Sequence, residues 1–401
     1  MLPKCPRISG KIRCRLTDGT DPSSDRRILD LGSIRKSQNP RDARISKGDH
    51  DAVLGPKPKT SFYPGYFAAV MATGIVSTAL FLYHRQELSD ALMVVTMALY
   101  LFLWYRYVAR FIKAPSDMWA DLTNPATAFG FFTIVAGSNV LGVRFVFAGW
   151  VTPSVVLGAI ALVVWMVLFY TVMTVLIIGP AVELSSVNGG WLIAVVAEQS
   201  IATYLAAMID VVPHHVEVLF LLSSTFWAMG LMFYVIFIGL IIDRLLFQRV
   251  SFNDLQPPYW INMGATAITV LASSRLLSIH VHAQIFLTLR PFLEGVTLML
   301  WAWGSWWIPL LVILGVWKYW RGSEKVEYHP SQWSIVFPLG MYAAATTTMS
   351  KIHGFKPLHW VGGEFLWIAL GAWILVAALA ARQFSTRSHR WNQRQLSERD
   401  R

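Results

Sequence analysis

Charge is scarce in this sequence, 14% of residues against 55% hydrophobic, and cysteine is almost absent, with two residues in 401. An ordinary soluble domain carries about a quarter of its residues charged, so a chain of this size with so few belongs to another class. The two cysteines, Cys5 and Cys14, have no Cys or His partner at metal-ligand spacing. That excludes a disulfide framework or a zinc site built on them. A phosphate-binding loop is missing too, so any energy coupling would come from ion gradients. Nor does an apolar run follow the early basic residues; Arg26-Arg27 precedes only a short polar stretch, and the start does not read as a secretory signal.

What the chain has instead is apolar length. Ten stretches follow one another, near residues 62–83, 90–111, 125–142, 154–178, 189–211, 215–242, 260–280, 292–317, 331–350 and 362–381. About 20 residues at roughly 1.5 Å each cover a hydrocarbon core of about 30 Å. The expected fold is an all-α integral membrane protein with ten transmembrane helices.

The charges sort by position. Residues 1–60 hold 14 Lys/Arg against 7 Asp/Glu and residues 382–401 hold 6 against 2, which accounts for the whole formal +11. The part between is balanced, so the basic pI is no sign of nucleic-acid binding by the folded region. Lys and Arg beside spans are retained in the cytoplasm, and ten spans put both termini on one side. The domain reading is a disordered basic tail over 1–60, a transmembrane domain over 61–381 and a basic tail over 382–401, both tails cytoplasmic.

A hairpin of two spans recurs every 63 to 71 residues, and Pro64, Pro125, Gly189-Gly190, Pro257-Pro258 and Pro330 punctuate the starts of the odd-numbered spans. Such a period marks duplicated units around a common axis. Ten of the 18 Trp fall in even spans and Trp320 stands just past one, where bulky rings suit lipid and interface. Odd spans carry small and hydroxylated runs. Those runs either let helices pack closely or line a path; five at equivalent positions favour a lined path, with Thr73, Gly74, Ser77, Gly137, Ser138, Thr266, Thr269 and Thr347 as candidate lining residues.

Val70-Met-Ala-Thr-Gly-Ile-Val-Ser77, Asn262-Met-Gly-Ala-Thr-Ala-Ile-Thr269 and Phe337-Pro-Leu-Gly-Met-Tyr-Ala344 resemble the tellurite-resistance/dicarboxylate transporter family, which includes bacterial tellurite-resistance proteins, fungal malic acid and sulfite transporters and plant slow-type anion channels. The resemblance spans about 62–381. It implies a quasi-five-fold ring of helical hairpins around a central pore, odd helices inside, three subunits with one pore each, and an aromatic plug at Phe337 beside Pro338. It also implies an inner-membrane protein that moves small anions, inorganic or C4-dicarboxylate, with no cofactor and no enzymatic activity.

Five inner helices starting at the cytoplasmic face would converge their N-terminal dipoles, each roughly half a positive charge, on the inner mouth. Gly74, Gly130, Gly137, Gly264, Pro338 and Gly340 either interrupt those helices and free backbone donors or simply kink them for packing. Two charges fall inside spans, Glu198 and Arg275, where ionisable groups are costly. They read as a proton site and a substrate-attracting cation in a proton-coupled dicarboxylate carrier, or as a structural pair, or, for Arg275, as a residue snorkelling to the interface. His214-His215, His280, His282, His353 and His359 would cluster on the outer side, the basis of an alternative reading as a metal-dependent membrane enzyme.

Overall fold

The computed structural model describes residues 62–251, 254–279, 284–321 and 327–399. The N-terminal tail with Cys5 and Cys14, and the pair His280 and His282, lie outside the described residues.

Eleven α-helices occur among the described residues: α1 (Ala68–Leu82), α2 (Gln86–Lys113), α3 (Pro115–Thr123), α4 (Thr133–Phe147), α5 (Val151–Ile178), α6 (Leu192–Met208), α7 (Val216–Phe247), α8 (Ile261–Ser278), α9 (Gln284–Arg321), α10 (Trp333–Met349) and α11 (His359–Arg399). Each of the ten expected spans overlaps one helix, and only the short α3 falls between two of them. Seven helices, counted with their entering turns, are long and apolar enough to cross a membrane: α2, α4, α5, α6, α7, α9 and α11. The chain is a multi-pass membrane protein. One boundary differs from expectation, because α11 runs unbroken to Arg399 through the region read as a tail.

The helices fall into two classes by burial. The apolar windows of α4 and α6 are 94% buried, whereas those of α2, α5, α7, α9 and α11 are 17–39% buried. In α1 every residue from Ala68 to Leu80 is buried; in α8 only Arg275 and Ser278 escape, and in α10 only Ile335. The second class leaves stripes such as Leu101, Tyr105, Val163, Leu221, Val312 and Leu375 exposed, as lipid-facing helices do.

Each buried helix packs on the helix that follows it: α1 on α2, α4 on α5, α6 on α7, α8 on α9, α10 on α11. The buried helices also touch one another in chain order, and α10 packs back on α1. They run parallel, since their C-terminal ends meet. Phe81 of α1 stacks on Phe147 of α4, Arg275 of α8 lies over Phe147, and Asp210, just beyond α6, pairs with Arg275.

The punctuating residues act at the opposite ends. Short 3-10 turns Ala128–Phe132, Gly189–Trp191, Pro257–Trp260 and Pro330–Gln332 lead into α4, α6, α8 and α10, and Ala68 and Ala69 close the same i→i+3 bonds before α1. Proline fits there because the first turn has no partner for its missing N–H.

The expectation of helices broken at depth is corrected. Helices α1, α4, α8 and α10 continue through Gly74, Gly137, Gly264, Pro338 and Gly340, and only Gly130 lies in a 3-10 turn. The glycines serve close approach instead. A Cβ at Gly264 would stand 2.9 Å from Pro338 Cγ, and one at Gly340 2.9 Å from Ile75 Cγ2.

Candidate permeation path

A small cavity lies where the five buried helices meet. Its wall takes Ile75 and Thr78 from α1, Asn139, Val140 and Val143 from α4, Ser200 and Thr203 from α6, Ile268 and Leu271 from α8, and Met341 from α10. The volume open to the centre of a water molecule is about 20 Å³, room for about one water. Six of the ten lining side chains are apolar. A constriction this narrow and apolar favours dewetting, which stops hydrated ions.

The polar lining residues are already engaged. Asn139 donates to Ser200 Oγ at 2.9 Å, and Ser200 donates to the Ala197 carbonyl at 2.6 Å. Thr78 and Thr203 donate to the Gly74 and Gln199 carbonyls one turn back in their own helices. The Asn139 carbonyl oxygen has no partner among the described residues. These hydroxyls can therefore serve a passing solute only by rotating away from the backbone.

None of the eight expected lining residues is among those on the cavity wall. The structure turns them toward the surrounding helices or their neighbours. Thr73 accepts from the Trp373 indole of α11 at 3.0 Å, Ser77 donates to the Ser89 carbonyl of α2 at 2.6 Å, and Ser138 bonds Tyr100 of α2 at 2.9 Å. Thr347 donates to Tyr83 at 3.1 Å, the Thr269 carbonyl accepts from the Trp227 indole, and Thr266 packs on Gly304 of α9. Gly74 abuts Val140 and Thr96, and Gly137 abuts Phe67 and Val70.

Phe337 is buried at 2% exposure inside α10. It precedes Met341 by one turn, so the two share a face of the helix, with Phe337 toward the N-terminal ends.

Glu198 and Arg275 do not meet. Arg275 pairs with Asp210 at 3.6 Å and stacks over Phe147 at 4.9 Å, which corrects the expected structural pair. Glu198 is fully buried and faces the Trp165 indole of α5 without the geometry of a formed hydrogen bond. Its side chain is not on the cavity wall.

A buried cation was overlooked because the third span was ended at 142. Arg144, 1% exposed, pairs with Asp90 at 2.5 Å, donates to Ser77 and Ser89 Oγ at 3.2 and 3.1 Å, and lies over the Phe81 ring at 4.9 Å. The signal was an arginine in the apolar run Val143–Phe147. Arg144 and Arg275 stand at the C-terminal ends of the buried helices, where positive charge offsets the helix dipoles.

A family model described as voltage-dependent anion channel matches residues 61–381. The chain belongs to that family. This agrees with the resemblance carried by the motifs in α1, α8 and α10. Among relatives, an uncharacterized transporter of Methanocaldococcus jannaschii is 25% identical over 333 residues, covering 79% of this chain and 92% of its own. A sulfite efflux pump of Arthroderma otae is 22% identical over 370 residues, covering 82% and 92%. An uncharacterized membrane protein of Mycobacterium tuberculosis is 36% identical over 145 residues, covering 36% and 73%. Family and relatives alike place this voltage-dependent anion channel family member among proteins that move anions across membranes, and not among enzymes.

Proposed function

We propose that the chain conducts small anions along the common axis of α1, α4, α6, α8 and α10, with ten spans arranged as a quasi-five-fold ring of hairpins. The observation that carries this reading is a cavity walled by residues from all five buried helices in a chain of an anion-channel family. The basic tails put both termini in the cytoplasm of a bacterial inner membrane, and the N-terminal dipoles of the five helices then face the cytoplasmic mouth. Phe337 and Pro338 form the plug, one turn below Met341. The family resemblance favours a homotrimer with one path per subunit.

Sulfite is the first substrate to try, given the relatives named for sulfite efflux; chloride, nitrate, malate and tellurite follow. Proteoliposomes holding the purified chain should release loaded sulfite faster than empty liposomes, with malate and chloride tested beside it. Equal release of every anion from both preparations would end the proposal.

Proton-coupled carriage is the second reading, favoured by one observation: the buried carboxylate of Glu198 has no hydrogen-bond partner among the described residues. Its distance from the cavity wall means that coupling would have to act through the α5–α6 contact. Flux of malate under imposed proton gradients separates the readings, because a carrier loses its gradient dependence in Glu198→Gln.

A further inference from the structure

Two guanidiniums bracket one pair of rings. Arg144 lies over Phe81 at 4.9 Å, Phe81 stacks on Phe147 at 5.1 Å and 11°, and Arg275 lies over Phe147 at 4.9 Å. Phe81, Phe147 and Arg275 follow the cavity-lining residues Thr78, Val143 and Leu271 by three or four positions, so they share those helix faces one turn further toward the C-terminal ends. The stack therefore lies beyond the cavity, toward the C-terminal ends of the buried helices.

The two arginines are held differently. Arg144 is fixed by Asp90 at 2.5 Å and by two serine hydroxyls. Among the described residues Arg275 has only Asp210 as an ionic partner, at 3.6 Å and with 59% of that side chain exposed, well outside the range of about 2.7–2.9 Å for a charge-assisted hydrogen bond. Lys351, just beyond α10, stands at the same end as Arg275 of the neighbouring α8, and partial desolvation, then the Arg275 charge, hold its ammonium below the usual lysine value. Two cations thus stand at this end of the buried helices, and Asp210 is paired loosely to one of them. The Phe147 ring holds the Arg275 guanidinium from one side, and its contact with Asp210 is long.

We propose that Arg275 and Lys351 form a binding site for a small oxyanion, in which the anion replaces Asp210 on the Arg275 guanidinium beside the Phe81–Phe147 stack. An oxyanion with two oxygens suits the donor fork, whereas a halide makes one contact. Calling this the outer loading site of the path rests on the proposed transport function; binding itself does not.

Sulfite binding to the purified full-length protein in detergent, followed by thermal shift against sulfite concentration, tests the site. Wild type is expected to saturate, and to bind chloride more weakly. Arg275→Gln and Lys351→Gln should each weaken sulfite by about tenfold or more, the loss of a charge-assisted contact. Asp210→Asn should bind it more tightly, because the competing carboxylate is gone, and Gly239→Ala, at an open position on α7, should bind it as wild type does. If Arg275→Gln does not fold, Lys351→Gln and Asp210→Asn at exposed positions carry the test. No saturable binding in wild type, or unchanged affinity in Lys351→Gln and Asp210→Asn, overturns the proposal. Unchanged sulfite affinity in the variants while flux persists sinks the site and spares the path; binding without flux in any variant, wild type included, sinks the path and spares the site.

Discussion

Asn139 on α4 donates its side-chain amide to Ser200 Oγ on α6 at 2.9 Å, and both side chains stand on the wall of the central cavity. The bond joins two neighbouring buried helices at the level where a solute would pass. It also fixes which faces of α4 and α6 look inward, and that phase has direct consequences for accessibility. Single cysteines at Thr78, Asn139, Ser200 and Thr203 in a Phe337→Ala background should react with a membrane-impermeant thiol reagent. Cysteines at Thr73, Ser138, Thr269 and Thr347 should not, since those positions face the surrounding helices or their own backbone. The reverse pattern would refute the assigned phase.

Phe337 is buried one turn from Met341, which lines the cavity. In the proposed plug role, removing the ring would take away apolar surface that keeps water from a narrow passage. Phe337→Ala is expected to raise sulfite or chloride flux in proteoliposomes severalfold, and Phe337→Leu to stay near wild type. Unchanged flux in Phe337→Ala removes the plug from the mechanism.

Arg144 is a costly side chain to lose. Its deletion leaves Asp90, Ser77 and Ser89 without their donor and opens space under the Phe81 ring. A lost charged hydrogen bond is worth about 1.5–3 kcal/mol, so Arg144→Ala should lower the melting temperature of the purified protein markedly. Asp90→Asn should cost much less, because Asp90 is 56% exposed and water replaces part of the pairing. Lysine at 144 should rescue poorly, having a point charge where a planar fork serves several acceptors and stacks on a ring.

The connection between α7 and α8 carries a pH dependence. The Asp254 carboxylate accepts from the Ser251 hydroxyl at 2.7 Å and the Ser251 N–H at 2.8 Å, and those bonds, with the nearby Arg244 charge, hold its pKa below the usual carboxylate value. A depressed folded value stabilises above the unfolded value of about 3.9 and is lost as pH falls through the folded one. Arg244 in turn donates to the Val187 carbonyl, so the connection should become open to limited proteolysis only below about pH 4. Ser251→Ala should move that onset to higher pH; an unmoved onset would clear Asp254 of the role.

How much of this was legible follows from what each residue pattern constrains. The spans were readable because length and apolarity suffice to mark a helix in lipid, and the hairpin period because proline and glycine recur where 3-10 turns start. The inner class was readable from small residues set against tryptophan. The lining was not: α1, α6, α8 and α10 are buried almost all round, so no apolar stripe distinguishes the side facing a neighbour from the side facing the axis. Thr73 and Thr78 look alike in sequence, yet one meets Trp373 and the other the cavity. The Arg144 network was missed for a simpler reason, a span ended too early, and no spacing rule brings Asp90 to it.

The glycines give the sharpest test of packing against flexibility. At Gly264 an added methyl would press on Pro338, and at Gly340 on Ile75 and Val76, all on buried neighbours. Gly239, Gly315 and Gly371, on the surrounding helices, have nothing within 4 Å of such a methyl. Overpacking costs about 1–3 kcal/mol, whereas Gly→Ala at an open helix position gains up to about 1 kcal/mol. Gly264→Ala and Gly340→Ala should therefore lower the melting temperature and the flux together, while Gly239→Ala and Gly315→Ala leave flux alone and hold or raise stability. If Gly264 acted instead as a hinge for opening, its alanine variant would melt like wild type and still lose flux, and that combination would overturn the packing account.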